Sequence, residues 1–212
     1  YVPMSVARVP EMMALGRIPV SVALIQVSLP DAFGYVSLGV SVDIIQAAVA
    51  RAKIVIAEVN PNMPRSMGGS MLHISRIHHL VAVDGPITEI QRSVGQEGDI
   101  QRIARYIAGI IDDGSTLQIG LGQVAHQALQ YLTDRKDLAI HSDLITDAII
   151  PLLENGCLTG ALKTSRPFKI VTSLALGTKP LYDLIDGNPL FSFEPIDDVC
   201  NPATIAEQHK MV

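Results

Sequence analysis

The 212-residue chain is 48% apolar and 17% charged, with a net charge of −5 and a pI near 5.6, which supplies core material for one large domain or two small ones. The acidic balance, the 4% aromatic content and the lack of tryptophan argue against a nucleic-acid binder, which needs a basic and stacking surface. Mean hydropathy is +0.32, but Gln26, Asp43, Lys53 and similar residues interrupt each apolar stretch before it reaches the length of a membrane span.

In chain order, VSVALIQVSL (20–29) and KIVIAEV (53–59) are apolar runs ended by PDAFG and NPNMP, and they predict buried strands. Between them DIIQAAVARA (43–52) has helical spacing, with Asp43 placed to cap it. HHLVAVDG closes this unit, and the polar, glycine-bearing QRSVGQEG (91–98) predicts a linker. The pattern then alternates: helix DIQRIARYIAGIIDDG with Asp99 as its cap, strand STLQIG, helix QVAHQALQYL, strand KDLAIHS, helix DLITDAIIPLLENG, strand PFKIVTSLALG, helix KPLYDLIDG and strand LFSFEPID. Parallel strands need crossovers, and burial on both faces favours continuous apolar runs, so the expected fold is α/β with mostly parallel, helix-covered sheets. At NPATIAEQHKMV another unit has begun, so the second lobe reads as incomplete, and Tyr1 in place of Met predicts a start further upstream. No secretory pattern opens the chain and only Cys157 and Cys200 are present, from which a reducing, cytoplasmic location is expected.

Chemistry concentrates around LQIGLGQVAHQA (117–128) and KDLAIHSD (136–143). Gly120 and Gly122 join a strand to a helix, where free N–H groups can bind an anion, and the next strand returns Asp143 to the same sheet edge. Three readings of these residues stand side by side. Asp143 or Ser142 caps the following helix while the glycines permit tight packing; Gly120, Gly122 and Ala125 form G-x-G-x-x-A, with Asp143 as the ribose acid of an NAD-binding Rossmann unit; or Asp143 is an active carboxylate. His73, His78 and His79 lack the spacing of a zinc helix, so no metal is expected. SMGGSM (66–71) lacks the Lys-Ser/Thr ending of a phosphate loop, and Cys157 at a helix end is not activated.

The blocks VALIQVSLPDAFGYVSLGVSVD, AKIVIAEVNPNMPRSMGG, DDGSTLQIGLG, KDLAIHSDLITDAI and NGCLTGALK occur in the order seen in the acetyl-CoA hydrolase/transferase family, and the chain resembles that family over nearly its whole length. The resemblance implies two related lobes, 1–95 as the remainder of an N-terminal lobe and 96–212 as the first part of a C-terminal one. It implies a CoA-transferase moving CoA between a short acyl-CoA and a small carboxylate, with a hydrolase or a catalytically weakened CoA-binding protein as alternatives. Asp143 falls where the family usually carries its nucleophilic glutamate, and is one methylene shorter. By resemblance Gly120, Leu121, Gly122, Gln123 and Val124 contact CoA, and NPNMPRSMGG borders the substrate cleft, where Arg65 is a candidate partner for a carboxylate; Gln118 and His141 are candidates for the same cleft, with an inward-packed or edge Gln118 equally open. His141 is expected to be structural or orienting, because an ionised carboxylate attacks without losing a proton. Coenzyme A enters as substrate with no permanent cofactor, and a homo-oligomer is expected.

Overall fold

The protein was analysed as a computed structural model that describes residues 2–90 and 98–212, so nearly all of the expected linker at 91–98 lies outside the described residues. Helix α1 (Val9–Ala14) begins with Pro10 in its first turn, where the missing N–H is harmless. Strand β1 (Val22–Val27) buries Ala23, Ile25 and Val27. A short strand β2 (Tyr35–Ser37) precedes α2 (Ile45–Arg51), which packs on α1 and β1 and buries Val49. Strand β3 (Ile54–Val59) then runs parallel to β1 in the register Val22↔Ile54 to Val27↔Val59. Strand β4 (Met71–His73) returns antiparallel to β2, and β5 (His79–Ala82) adds parallel to β3, giving the order β1-β3-β5. The apolar runs led to an expectation of burial on both faces, but the first sheet alternates. Val22, Leu24, Ile54 and Val81 are exposed on a face left open among the described residues.

The second sheet follows α3 (Asp99–Ile110), whose N-cap is Gly98; Asp99 lies inside the first turn and pairs with Arg102 instead of capping. Its strands are β6 (Thr116–Leu117), β7 (Ala139–Ile145), β8 (Ile170–Ala175) and β9 (Phe191–Phe193), all parallel and adjacent in that order. The crossovers are α4 (Gln123–Leu129), α5 (Ile150–Glu154) and α6 (Lys179–Ile185), and α7 (Ile196–Val199) packs on β7 and β8 before α8 (Pro202–Ala206). Burial of Phe191, Phe193, Ile140, Ile145, Ile149, Leu152, Leu181 and Ile185 forms the centre of this lobe, each worth about 1.5–3 kcal/mol. No helix among the described residues is long and apolar enough to cross a membrane.

Two boundaries differ from expectation. Strand KDLAIHS does not stop at Ser142: pairing with β8 continues through Leu144↔Leu174 and Ile145↔Ala175, because both residues gain full burial there. The helical turn starts only at Asp147, capped by Thr146, whose Oγ1 accepts from the Ala148 N–H. LFSFEPID likewise shortens to β9, and Pro195 leads directly into α7.

Main-chain bonds tie the connections at 40–43 and 67 to the second sheet. Ala175 N–H donates to Val40 O at 2.8 Å, Val42 and Asp43 N–H both reach Ser173 O, Phe193 N–H donates to Met67 O and Ile196 N–H to Asp43 O. The SMGGSM segment is therefore an ordered clasp on β9. Gly68 bridges Phe193 at φ +93°, and a Cβ there would stand 2.9 Å from both Phe193 O and the Glu194 carboxylate. The Gly68→Val substitution combines a left-handed β-branched residue with that overlap. It is expected to cost about 2–4 kcal/mol, read as a lowered denaturant midpoint at unchanged slope.

Candidate functional site

Burial along β7 isolates one side chain. Of its seven residues, AIHSDLI, six are buried and only Asp143 is half-buried. A strand packed on both faces has one opening in its cover, and a carboxylate occupies it. Neither capping reading holds, since Asp143 lies within the strand and Thr146 is the cap. Among the described residues the Asp143 carboxylate makes no ion pair, and its one hydrogen bond is a long one, accepted from Ser142 Oγ at 3.5 Å.

Ser142 brings the glycine turn to this opening. Its Oγ accepts from Ile119 N–H at 2.9 Å and donates to Ile119 O at 3.1 Å, fixing the residue before Gly120 beside β7. Sequence reading weighed Ser142 only as a cap; a hydroxyl in the middle of an otherwise apolar strand was the available signal. Gly120, Leu121, Gly122 and Gln123 are exposed and Val124 is half-buried, with Gly122 the N-cap of α4 at φ −75°. A Cβ on either glycine would meet nothing within 4 Å and neither has a positive φ, so neither packing nor backbone geometry among the described residues requires glycine. Gln118 is exposed at the end of β6, its N–H donating to Val212 O. Thr116 also pairs with Met211, so β6 has β7 on one edge and residues 210–212 on the other. The chain leaves β6 in one direction and returns on its far side, and the carboxyl end of such a switch point is where open α/β sheets bind ligands.

The remaining predicted residues are placed differently. His141 is 1% exposed, and its Nε2 donates to Val199 O at 2.8 Å, tying β7 to α7. Burial pushes its pKa down and Nδ1 has no partner, so the ring is neutral and remote from solvent. Arg65 was expected at the cleft facing a substrate carboxylate. Its guanidinium instead pairs with Asp31 at 2.7 Å and reaches Tyr35 O, while its N–H donates to Asp186 across the lobes. The chain's own carboxylate, close in space but 34 positions away in sequence, satisfies that charge. Asp43 does not cap α2: Ile44 holds the N-cap position without a side-chain bond, and Asp43 has φ +36°. Its pKa is raised by burial and by the nearby Asp143 charge. The same two carboxylates, after burial, help push the Cys200 thiol up to about 11. Asp43, Asp143 and Cys200 are thus neighbours, although the three lie far apart in sequence. Both cysteines are free, with Cys157 Sγ donating to Thr133 O. His73 is used locally, against Ser75 and edge-on to Tyr35, and His78 Nδ1 accepts from Val55 N–H.

The acetyl-CoA hydrolase/transferase N-terminal domain matches residues 1–92. The 4-hydroxybutyrate coenzyme A transferase of Clostridium kluyveri is 42% identical over 213 residues, covering 100% of this chain and 49% of that protein. The succinyl-CoA:acetate/propanoyl-CoA:succinate CoA transferase of Fasciola hepatica is 32% identical, over 100% and 44%. Among solved structures, 4-hydroxybutyrate CoA-transferase from Porphyromonas gingivalis superposes with a TM-score of 0.92 at 40% identity, over 97% of this chain and 52% of that one. RipA from Yersinia pestis gives 0.92 at 30% identity, over 100% and 49%. The chain spans about half the length of the curated relatives it matches. The enzymes named for their reaction are CoA-transferases, which displaces the dinucleotide reading of the glycine turn. From the match across its full length and the parallel sheets it shares with these structures, the chain belongs to the acetyl-CoA hydrolase/transferase family.

Proposed function

We propose that this chain carries the nucleophile of a CoA-transferase that moves CoA between a short acyl-CoA and a small carboxylate, with Asp143 as that nucleophile. Residues 1–95 are the remainder of the N-terminal lobe and 96–212 the first part of the C-terminal one. The observation that carries the reading is the single break in the cover of β7, at a carboxylate beside an open glycine turn. In the first step an Asp143 oxygen attacks the thioester carbonyl, the C–S bond breaks, and an acyl-aspartyl anhydride and CoA thiolate result. The thiolate then attacks the Asp143 carbonyl, releases the first carboxylate and leaves an aspartyl-CoA thioester. A second carboxylate attacks this thioester to form a new anhydride, and the returning thiolate takes the acyl group and regenerates Asp143. No step requires removal of a proton, which suits a nucleophile whose own strand carries only the buried, neutral imidazole of His141. An anhydride preserves the group-transfer potential of the thioester and divides the exchange into reversible steps. In this reading the turn 120–124, exposed at Gly120, Leu121, Gly122 and Gln123 and leading into α4, contacts CoA.

The test is the intact mass of the complete protein after treatment with acetyl-CoA, where aspartyl-CoA formation adds CoA less one water at Asp143. Borohydride reduction before peptide mapping locates the adduct. An unmodified Asp143 in a protein that turns over acyl-CoA overturns the assignment. Product analysis with and without acceptor acid separates transfer from hydrolysis. The glycine turn makes a second expectation. Gly122→Val adds a side chain into open space at an allowed φ, so stability is expected to change by less than about 1 kcal/mol. CoA affinity, by titration calorimetry, is expected to fall at least about tenfold, because the backbone no longer admits the ligand.

A further inference from the structure

We infer that Asp43 is a positioning residue for the Asp143 carboxylate, carried from the first lobe onto the second sheet so as to hold Asp143 toward the glycine turn. The inference rests on the nucleophile reading above and adds a residue that reading does not use. Strand order supplies the geometry. Asp143 stands opposite Ser173, between the pairs Ser142↔Thr172 and Leu144↔Leu174. On the β6 side of β7, Asp143 leans on Ser142, whose hydroxyl grips Ile119 at the start of the glycine turn. On the β8 side, Asp43 is fixed by both of its peptide groups, N–H to Ser173 O and C=O from Ile196 N–H. The nucleophile therefore lies between a like charge and the ligand turn, and repulsion from Asp43 directs it to the turn.

Three further observations set Asp43 apart from an ordinary surface acid. Its backbone is left-handed, a region that Asp and Asn enter more readily than other side chains. Its Oδ1 is buried without a hydrogen-bond partner, so the carboxyl is not held there by local bonding of that oxygen. Cys200, at the end of α7, is affected by both carboxylates, which puts it in the neighbourhood of the pair. The groups that bear on Asp43 are Asp143 from β7 and the Ile44 N–H at the start of α2; Lys163, Arg166 and Asp198 bear on His141 instead. Burial and the Asp143 charge both oppose ionisation of Asp43, so its charge develops above the ordinary carboxyl range.

The test uses the complete protein with acetyl-CoA and an acceptor carboxylate, comparing Asp43→Asn, Asp43→Ala and Asp143→Asn. Asn keeps the size of Asp43 and its tolerance of the left-handed region while removing the charge. Asp43→Asn is expected to lower kcat roughly 10- to 100-fold, the scale of an ångström of misplacement. KM for acetyl-CoA is expected to stay within about twofold and the melting temperature near that of the wild type. The rise in kcat that accompanies ionisation of Asp43 in the wild type is expected to vanish from the pH profile. Asp43→Ala is expected to lose rate and stability together. Wild-type kcat and pH profile in Asp43→Asn, beside an inactive Asp143→Asn, overturn this inference and leave the nucleophile intact. Full transfer by Asp143→Asn overturns the nucleophile reading and this inference with it.

Discussion

Replacing Asp143 by Asn is expected to lower CoA transfer at least about a thousandfold, since an amide neither attacks the thioester nor carries CoA as a thioester. Asn is nearly isosteric, and Asp143 makes no ion pair among the described residues. The substitution also removes the charge that opposes ionisation of Asp43, so the fold should be retained. Initial rates, melting temperature and adduct mass measured on one preparation separate loss of chemistry from loss of structure. Wild-type transfer by the folded variant rejects the assignment. Asp143→Glu restores the residue usual in the family and extends the reach by one methylene. It is expected to keep adduct formation with a rate lowered by up to about a hundredfold, because the strand that holds residue 143 is already set for the shorter acid. A faster Asp143→Glu protein would identify the natural chain as a weakened member of its family.

The second large effect concerns pH and stability. Lys163 is 4% exposed; its Nζ donates to Ile140 O at 2.8 Å and Lys169 O at 3.1 Å, and among the described residues no carboxylate pairs with it. Burial, with a smaller contribution from Arg166, pushes its pKa down from 10.5 to about 7. Between those two values the unfolded chain holds a proton that the folded chain has released, so stability rises with pH through that window and is lowest below it. The slope is about 1.4 kcal/mol per pH unit, a few kcal/mol in all. Lys163→Met loses the two carbonyl bonds but cannot titrate. The stability difference, wild type minus variant, is therefore expected to climb from about pH 7 toward pH 10, measured by urea unfolding at fixed ionic strength. A flat difference would mean that the ammonium remains charged in its carbonyl cradle.

What the sequence made legible was local. The alternation of apolar runs with helical spacing identified the crossovers and the parallel sheets, because β1, β3, β7 and β8 are continuous runs bounded by turn residues. The glycine turn and Asp143 were legible for the same reason, lying on consecutive units of one sheet. The strands β2 and β4 were not, at three residues each and with only a partial apolar face. Long-range pairing defeated the rest. Asp43 precedes a helix and reads as its cap until Ser173 and Ile196 are seen to hold it. Arg65 reads as an available cation until Asp31 and Tyr35 are brought to it by the β2–β4 pair. The end of β7 was misjudged because LITDAII has helical spacing, while the gain from pairing Leu144 and Ile145 with β8 outweighs that local preference.

The lobes meet through peptide groups of β8 and β9 as well as through side chains. Opening the molecule like a book along that line would break these main-chain bonds together and exchange each for a bond to water, at a cost of about 0.5–1.5 kcal/mol apiece. The seat of Asp43 beside β8 is consequently set when the chain folds, before any ligand arrives.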